Sequence, residues 1–140
     1  MKGKRMLKAK DIMQSSLITA KEDTPVIEAI NILGQNKITG LPVVDDDMTL
    51  LGLVSEKDVL SIAYHVFAGL VDNAMDAKKI GDIMTKDVVS FRLNDNLADI
   101  CQFFMNKPFS CAPVLDNGKL VGIISRKDII AHAFAKLNKE

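Results

Sequence analysis

The chain has 140 residues, 48% of them apolar, which is enough for one compact domain with a sizeable core. Lys plus Arg equals Asp plus Glu at 18 each, so there is no global field to draw the protein to nucleic acid or to a membrane. The basic opening Met1-Lys2-Gly3-Lys4-Arg5-Met6 lacks the apolar core of a secretory signal and reads as a solvated tail, and no other stretch is long and charge-free enough to span a bilayer; the expected location is cytoplasmic.

In chain order, the first landmark is Asp11-Ile12-Met13, which returns as Asp82-Ile83-Met84. A short apolar strand is expected at Leu17-Ile18-Thr19, matched by Val88-Val89-Ser90. Thr24-Pro25 then reads as a helix N-cap with Pro at the first helical position, and Asp95 takes the equivalent capping place. The apolar stripe Val26, Ala29, Ile30, Leu33 predicts a helix, and Leu97, Ile100, Cys101, Phe104 repeats it. Cys101 on that stripe reads as a small buried hydrophobe rather than half of a disulfide with Cys111.

Buried strands follow at Leu41-Pro42-Val43-Val44-Asp45 and Ala112-Pro113-Val114-Leu115-Asp116. The next loop is Asp46-Asp47-Met48-Thr49 in one copy and the shorter Asn117-Gly118-Lys119, a hairpin signal, in the other. Strands Leu50–Val54 and Leu120–Ile124 lead into closing helices that begin at Ser55 and Ser125. The first closing helix is expected to continue through Leu70 and Val71, with Ala63, Val66, Phe67 and Leu70 on one stripe. The chain therefore reads as two α/β repeats of pattern β-α-β-β-α, residues 8–71 and 79–137, joined by a polar connector at 72–78. Two copies of a half-domain bury their faces by packing on each other, so pseudo-twofold symmetry is expected, with equivalent strand ends facing a common cleft.

The candidate chemistry lies in Ser-x-x-Asp, present at Ser55/Asp58 and again at Ser125/Asp128, each where a strand gives way to a helix. Taken alone, the pattern is close to a capping box. Taken twice, it offers two helix starts whose N–H groups and dipole suit a phosphate, with a Ser hydroxyl for the same anion. An ionised Asp suits the vicinal hydroxyls of a ribose. Lys57, Lys127 and Arg126 add positive charge nearby. His65 and His132 do not correspond between copies, and neither has partners at metal-ligand spacing. No catalytic or nucleotide-loop fingerprint is present, so neither catalytic nor metal residues are expected.

The order Asp-Ile-Met, short strand, Thr24-Pro25-Val26, Leu41-Pro42-Val43-Val44-Asp45 and Gly52-Leu53-Val54-Ser55-Glu56-Lys57-Asp58 resembles a cystathionine-β-synthase (CBS) domain. Ala112-Pro113-Val114-Leu115-Asp116 and Gly122-Ile123-Ile124-Ser125-Arg126-Lys127-Asp128 make the second copy. The resemblance covers nearly the whole chain and implies a stand-alone tandem pair that binds an adenosine-containing small molecule between the repeats. It implies that Asp58 and Asp128 hold ribose and that Ser55 and Ser125 help hold phosphate. Ile18 and Val89 would line the adenine, with Ile38, Thr39, Gly40 and Pro42, and Phe109, Ser110, Cys111, Ala112 and Pro113, as the remaining wall; core packing is the competing reading for Ile18, Val89, Ile38 and Phe109. Each site would borrow its Asp-hydrophobe-Met segment from the opposite repeat, pairing Asp58 with Thr85 and Asp128 with Gln14. The family's basic residue before the second strand is replaced by Gly40 and Cys111.

The expected function is a regulatory module with no chemistry of its own, requiring no cofactor and taking AMP, ADP or ATP as regulatory ligand, which signals to an unknown regulated protein. The alternatives are a dimerisation scaffold with empty clefts, or a sensor of S-adenosylmethionine or NAD. A homodimer is expected through the first stripe together with Ile129, Ile130, Ala133 and Phe134. With Arg126 where the first copy has Glu56, the Asp128 site is expected to favour the more highly charged phosphates.

Overall fold

The computed structural model describes residues 6–70 and 78–138. The basic tail through Arg5, Val71 and the expected connector apart from Lys78 lie outside the described residues. The elements run α1 (Ala9–Ile12), α2 (Val26–Asn36), β1 (Gly40–Val44), β2 (Leu50–Ser55), α3 (Glu56–Phe67), a 3₁₀ turn at Ile80–Asp82, β3 (Phe91–Arg92), α4 (Leu97–Asn106), β4 (Cys111–Asp116), β5 (Lys119–Ser125) and α5 (Arg126–Asn138). Strands β1 and β2 form an antiparallel hairpin, and β3 joins β4 in parallel beside the β4–β5 hairpin.

The chain separates into two compact units that do not follow the sequence repeats. One takes the chain up to Leu17 together with everything from Val89 on; the other is Ile18–Val88. The Asp-Ile-Met segments are thus exchanged: residues before the first repeat's strand pack with the second repeat, and the segment ending in Thr85 packs with the first. Hydrogen bonds from Ala9 N to Asp95 O (2.9 Å) and Leu97 N to Leu7 O (2.8 Å) stitch one exchange. Ile80 N to Thr24 O (2.8 Å) and Val26 N to Lys78 O (3.0 Å) stitch the other.

This packing accounts for the recurring motif. Asp11 and Asp82 each turn a carboxylate back onto a main-chain N–H three residues earlier, at 2.8 Å on Lys8 and 3.2 Å on Lys79. Ala9 and Ile80 are completely buried ahead of them. Met84 lies against Gly52 so closely that a Cβ there would stand 2.6 Å from its sulfur and 2.8 Å from Thr85 O. Met13 occupies the same relation to Gly122. The repeated glycines are therefore seats for the repeated methionines.

Each unit has its own core. In Ile18–Val88 it gathers Ala29 and Leu33 of α2, Leu41, Val43 and Val54 of the hairpin, and Ile80 and Met84. In the other unit it gathers Ala9, Ile100, Phe104, Ala112, Val114 and Ile124. The helix stripes carry these contacts as their spacing dictates. Asn117 and Gly118 both hold positive φ, 52° and 80°, giving the two-residue turn that suits the twist of β4 and β5.

Three sequence expectations are corrected. The first strands lie further along: Leu17–Thr19 and Val88–Ser90 are not strands, and pairing begins with the parallel bridge Ala20–Val43 and with Phe91–Val114. Thr24 and Asp95 do not cap the helices; they accept from Lys21 N (3.0 Å) and Arg92 N (2.7 Å) in the preceding turn, while Pro25 and Asn96 are the N-caps. The first closing helix stops at Phe67, because Gly69 takes a positive φ of 71° and turns the chain before Leu70.

Candidate functional site

Both Ser-x-x-Asp motifs start a helix, and both are built as capping boxes. In α3 the Asp58 N–H donates to Ser55 Oγ at 3.3 Å, and Asp58 Oδ2 accepts from Ser55 N at 2.8 Å and from the Ser55 hydroxyl at 3.0 Å. In α5 Asp128 N donates to Ser125 Oγ at 3.1 Å and Asp128 Oδ2 accepts from Ser125 N at 3.0 Å. Capping alone leaves the outer oxygen of each carboxylate without a role, and here the exchanged segments come in. The Thr85 hydroxyl donates to Asp58 at 3.2 and 3.3 Å, and Gln14 Nε2 donates to Asp128 Oδ1 at 3.0 Å.

These two donors are held by matching backbone bridges. Thr85 exchanges N–H···O bonds with Leu53 at 2.9 Å each way, and Gln14 does so with Ile123 at 2.8 and 3.0 Å. Each unit therefore contains one complete constellation: Ser, Asp, a donor from the exchanged segment, and the positive end of a helix. The pairings Asp58–Thr85 and Asp128–Gln14 are those the CBS resemblance implied. The arrangement presents an anchored carboxylate with remaining acceptor capacity at the positive end of a helix, suited to a polyhydroxylated anionic ligand.

The other expected residues divide by placement. Lys57 and Lys127 are exposed in the first turns of their helices. Ile18 and Ile38 pack against the first core, so core packing describes them as placed. Thr39 and Ser110 are half-buried, and Gly40 and Cys111 are buried strand starts. Ala112 belongs to the second core, and Pro42 and Pro113 are fully buried, so these three present no accessible side-chain surface. Val89 and Phe109 are exposed at 45% and 42%, which leaves them open to a ligand.

Arg126 is held by main-chain carbonyls of the preceding loop. Its Nε donates to Phe109 O at 2.6 Å, its Nη2 to Lys107 O at 2.5 Å, and its main-chain N–H to Ser110 O at 3.0 Å. The guanidinium is thus engaged on loop carbonyls. Phe103, which sequence reading left unremarked, stacks under Phe109 with ring centroids 5.7 Å apart and planes 11° from parallel. The aromatic spacing from Phe103 to Phe109 across a helix end was the available signal.

Cys101 is half-buried on α4 and Cys111 buried at the start of β4. Among the described residues no cluster of His, Cys, Asp or Glu side chains could hold a metal ion, and no described helix is long and apolar enough to cross a membrane.

Two α/β units, each with a capped helix start whose aspartate is bridged to a borrowed segment, define a tandem architecture of the CBS type. The CBS domain profile matches residues 9–65 and 80–134, and the chain belongs to that family as a tandem CBS pair. It is 32% identical to the chloroplastic CBS domain-containing protein CBSX1 of Arabidopsis thaliana, covering 94% of this chain and 63% of that protein. It is 31% identical to the uncharacterized protein MJ1225 of Methanocaldococcus jannaschii, covering 86% of this chain and 41% of that one. The chain thus spans less than two thirds of these relatives' length. Among solved structures, CBSX2 in complex with AMP superposes with a TM-score of 0.80 at 32% identity, over 92% of this chain and 97% of that one. The CBS domain pair of protein MJ0100, in complex with 5′-methylthioadenosine and S-adenosyl-L-methionine, gives 0.78 at 27% identity, over 94% and 99%.

Proposed function

We propose that this protein is a regulatory module that binds an adenosine-containing small molecule at each of its Ser-x-x-Asp helix starts and passes the binding event to a partner protein. The observation that carries the reading is the doubled constellation. An aspartate fixed by its own helix cap and by a borrowed donor keeps acceptor capacity for ribose hydroxyls, while the positive end of the helix dipole favours a phosphate. AMP, ADP and ATP are the ligands we favour, supported by the AMP complex of the similar CBSX2. In this reading the protein does no chemistry itself; it signals because the ligand binds one conformation or assembly better than another.

The test is thermal denaturation with AMP, ADP, ATP, S-adenosylmethionine and NADH in turn. A ligand at a hundred times its Kd adds about 2.7 kcal/mol of stability, and we expect this from at least one adenine nucleotide. A shift from S-adenosylmethionine alone favours the second reading, a sulfonium-nucleoside sensor, which the MJ0100 complex supports. No shift with any of the five favours a dimerisation scaffold, in which the capping boxes serve the helices alone.

A further inference from the structure

The two helix exits that precede β1 and β4 are built differently. Helix α2 closes through Lys37 in the left-handed region (φ 52°, ψ 41°), whose N–H, with that of Ile38, returns to Leu33 O. Pro108 occupies the corresponding place after α4, and its ring fixes φ near about −65°. Lys107 before it is forced extended, at φ −126° and ψ 147°. The left-handed closure is therefore unavailable, and α4 ends on the bond from Lys107 N to Phe103 O (3.0 Å) before the chain runs on extended. Arg126 ties down the segment that follows, donating to Lys107 O and Phe109 O from the first residue of the helix that bears Asp128. The first repeat, which closes its own helix, has Glu56 in that position.

We infer that Arg126 is a positioning residue: where Pro108 forbids the left-handed closure, it holds the Lys107–Ser110 segment, with Phe109 stacked on Phe103, as a pre-formed wall beside Asp128. Its charge serves this main-chain clamp rather than a phosphate. The consequence for ligand binding rests on the function proposed above; the clamp itself does not.

Two measurements test it. Hydrogen exchange of the ligand-free protein should show faster exchange across Lys107–Cys111 in Arg126→Gln, with Asn36–Gly40 unchanged. Arg126→Lys should behave like Arg126→Gln, because a single ammonium cannot span two carbonyls as the guanidinium fork does. Introducing Pro108→Gly alongside Arg126→Gln should restore protection by readmitting the left-handed closure. In an Asp58→Ala background, calorimetry should show both Arg126 variants losing about fivefold in affinity for adenosine, AMP and ATP alike, the cost of ordering the wall on binding. Full protection in Arg126→Lys, or a loss that grows from adenosine to ATP, overturns the inference in favour of a phosphate cation. If the unsubstituted protein binds none of these probes, the nucleotide reading falls while the exchange data still decide the clamp.

Discussion

In the proposed function each aspartate serves both its helix cap and the ligand, and substitution must separate the two. Asp58→Ala removes the proposed ribose acceptor and also the partner of Ser55 N, so it should weaken the helix start as well as the proposed site. Charged hydrogen bonds contribute about 1.5–3 kcal/mol, so Asp58→Ala and Asp128→Ala should each weaken binding at their own site roughly tenfold or more. Asp58→Asn keeps an oxygen for the cap but loses the charge; it should lose most of that affinity with little change in melting temperature. Calorimetry beside thermal denaturation checks the pair, and unchanged affinity in the Asp58→Ala/Asp128→Ala double variant would show that the motif is only a capping box. The donors facing the aspartates differ too. Gln14 bonds Asp128 Oδ1 at 3.0 Å, while Thr85 sits longer, at 3.2 and 3.3 Å, across both Asp58 oxygens. Gln14 also has more side-chain entropy to lose when a ligand orders it. AMP should therefore bind more tightly at the Asp58 site, read in Asp128→Ala, than at the Asp128 site, read in Asp58→Ala. Gln14→Thr should narrow the difference; a reversed ranking would refute the argument. At this scale the sequence was highly legible, because duplication marked Ser55, Asp58, Ser125 and Asp128. The partners of Arg126 were not legible in this way, because they depend on where the exit of α4 meets the start of α5, which the order of residues does not show.

The elements turn on the contact between strand glycines and exchanged methionines. A Cβ at Gly52 would press on Thr85 O, which belongs to backbone already bonded to Leu53. Around Gly122 the nearest atoms are all in the Met13 side chain, which can shift rotamer. Gly52→Ala should thus cost about 1–3 kcal/mol, in the range of overpacked sites, and Gly122→Ala less. Urea denaturation of both variants measures the order, and an equal cost would mean that the Thr85 backbone yields as readily as a thioether. Helix stripes and the Asn117-Gly118 turn were readable because one face of each helix is buried and the turn needs positive φ at both positions. The first strands were displaced because they make so few ladder bonds: one bridge at Ala20, and two residues at Phe91–Arg92. Local apolar character placed them at Leu17 and Val88, where there is no pairing to hold a strand. The closing helix was over-extended for a similar reason, since Leu70 continues the apolar pattern past the left-handed Gly69 that ends it.

At the scale of the whole molecule, the closing helices leave a matching pair of apolar stripes in water. On α3 these are Leu60, Tyr64 and Phe67, exposed at 68%, 64% and 88%; on α5 they are Ile130, Phe134 and Leu137, at 67%, 66% and 72%. Both run i, i+4, i+7 along one helix face, and they occupy corresponding positions in the two repeats. The stripe differs from the sequence expectation, since Ala63 and Ile129 are half-buried and turn toward their own units, while Leu60, Tyr64 and Leu137 take their place. Apolar surface repeated in this way calls for a partner, and a second copy of the chain offers the same two stripes. We therefore expect a homodimer in which closing helices meet closing helices. Tyr64→Glu with Phe134→Glu would bury unpaired charge at the centre of both stripes, costing several kcal/mol per subunit and raising the dimer dissociation constant at least about a hundredfold. Light scattering at micromolar concentration should return a dimer mass for the unsubstituted chain and a monomer mass for the double variant. Neither Glu lies in a Ser-x-x-Asp constellation, so nucleotide affinity measured on the monomer then reports how strongly ligand binding and assembly are coupled. An unsubstituted chain that is monomeric at those concentrations would leave the stripes to a different protein and remove the homodimer from the mechanism.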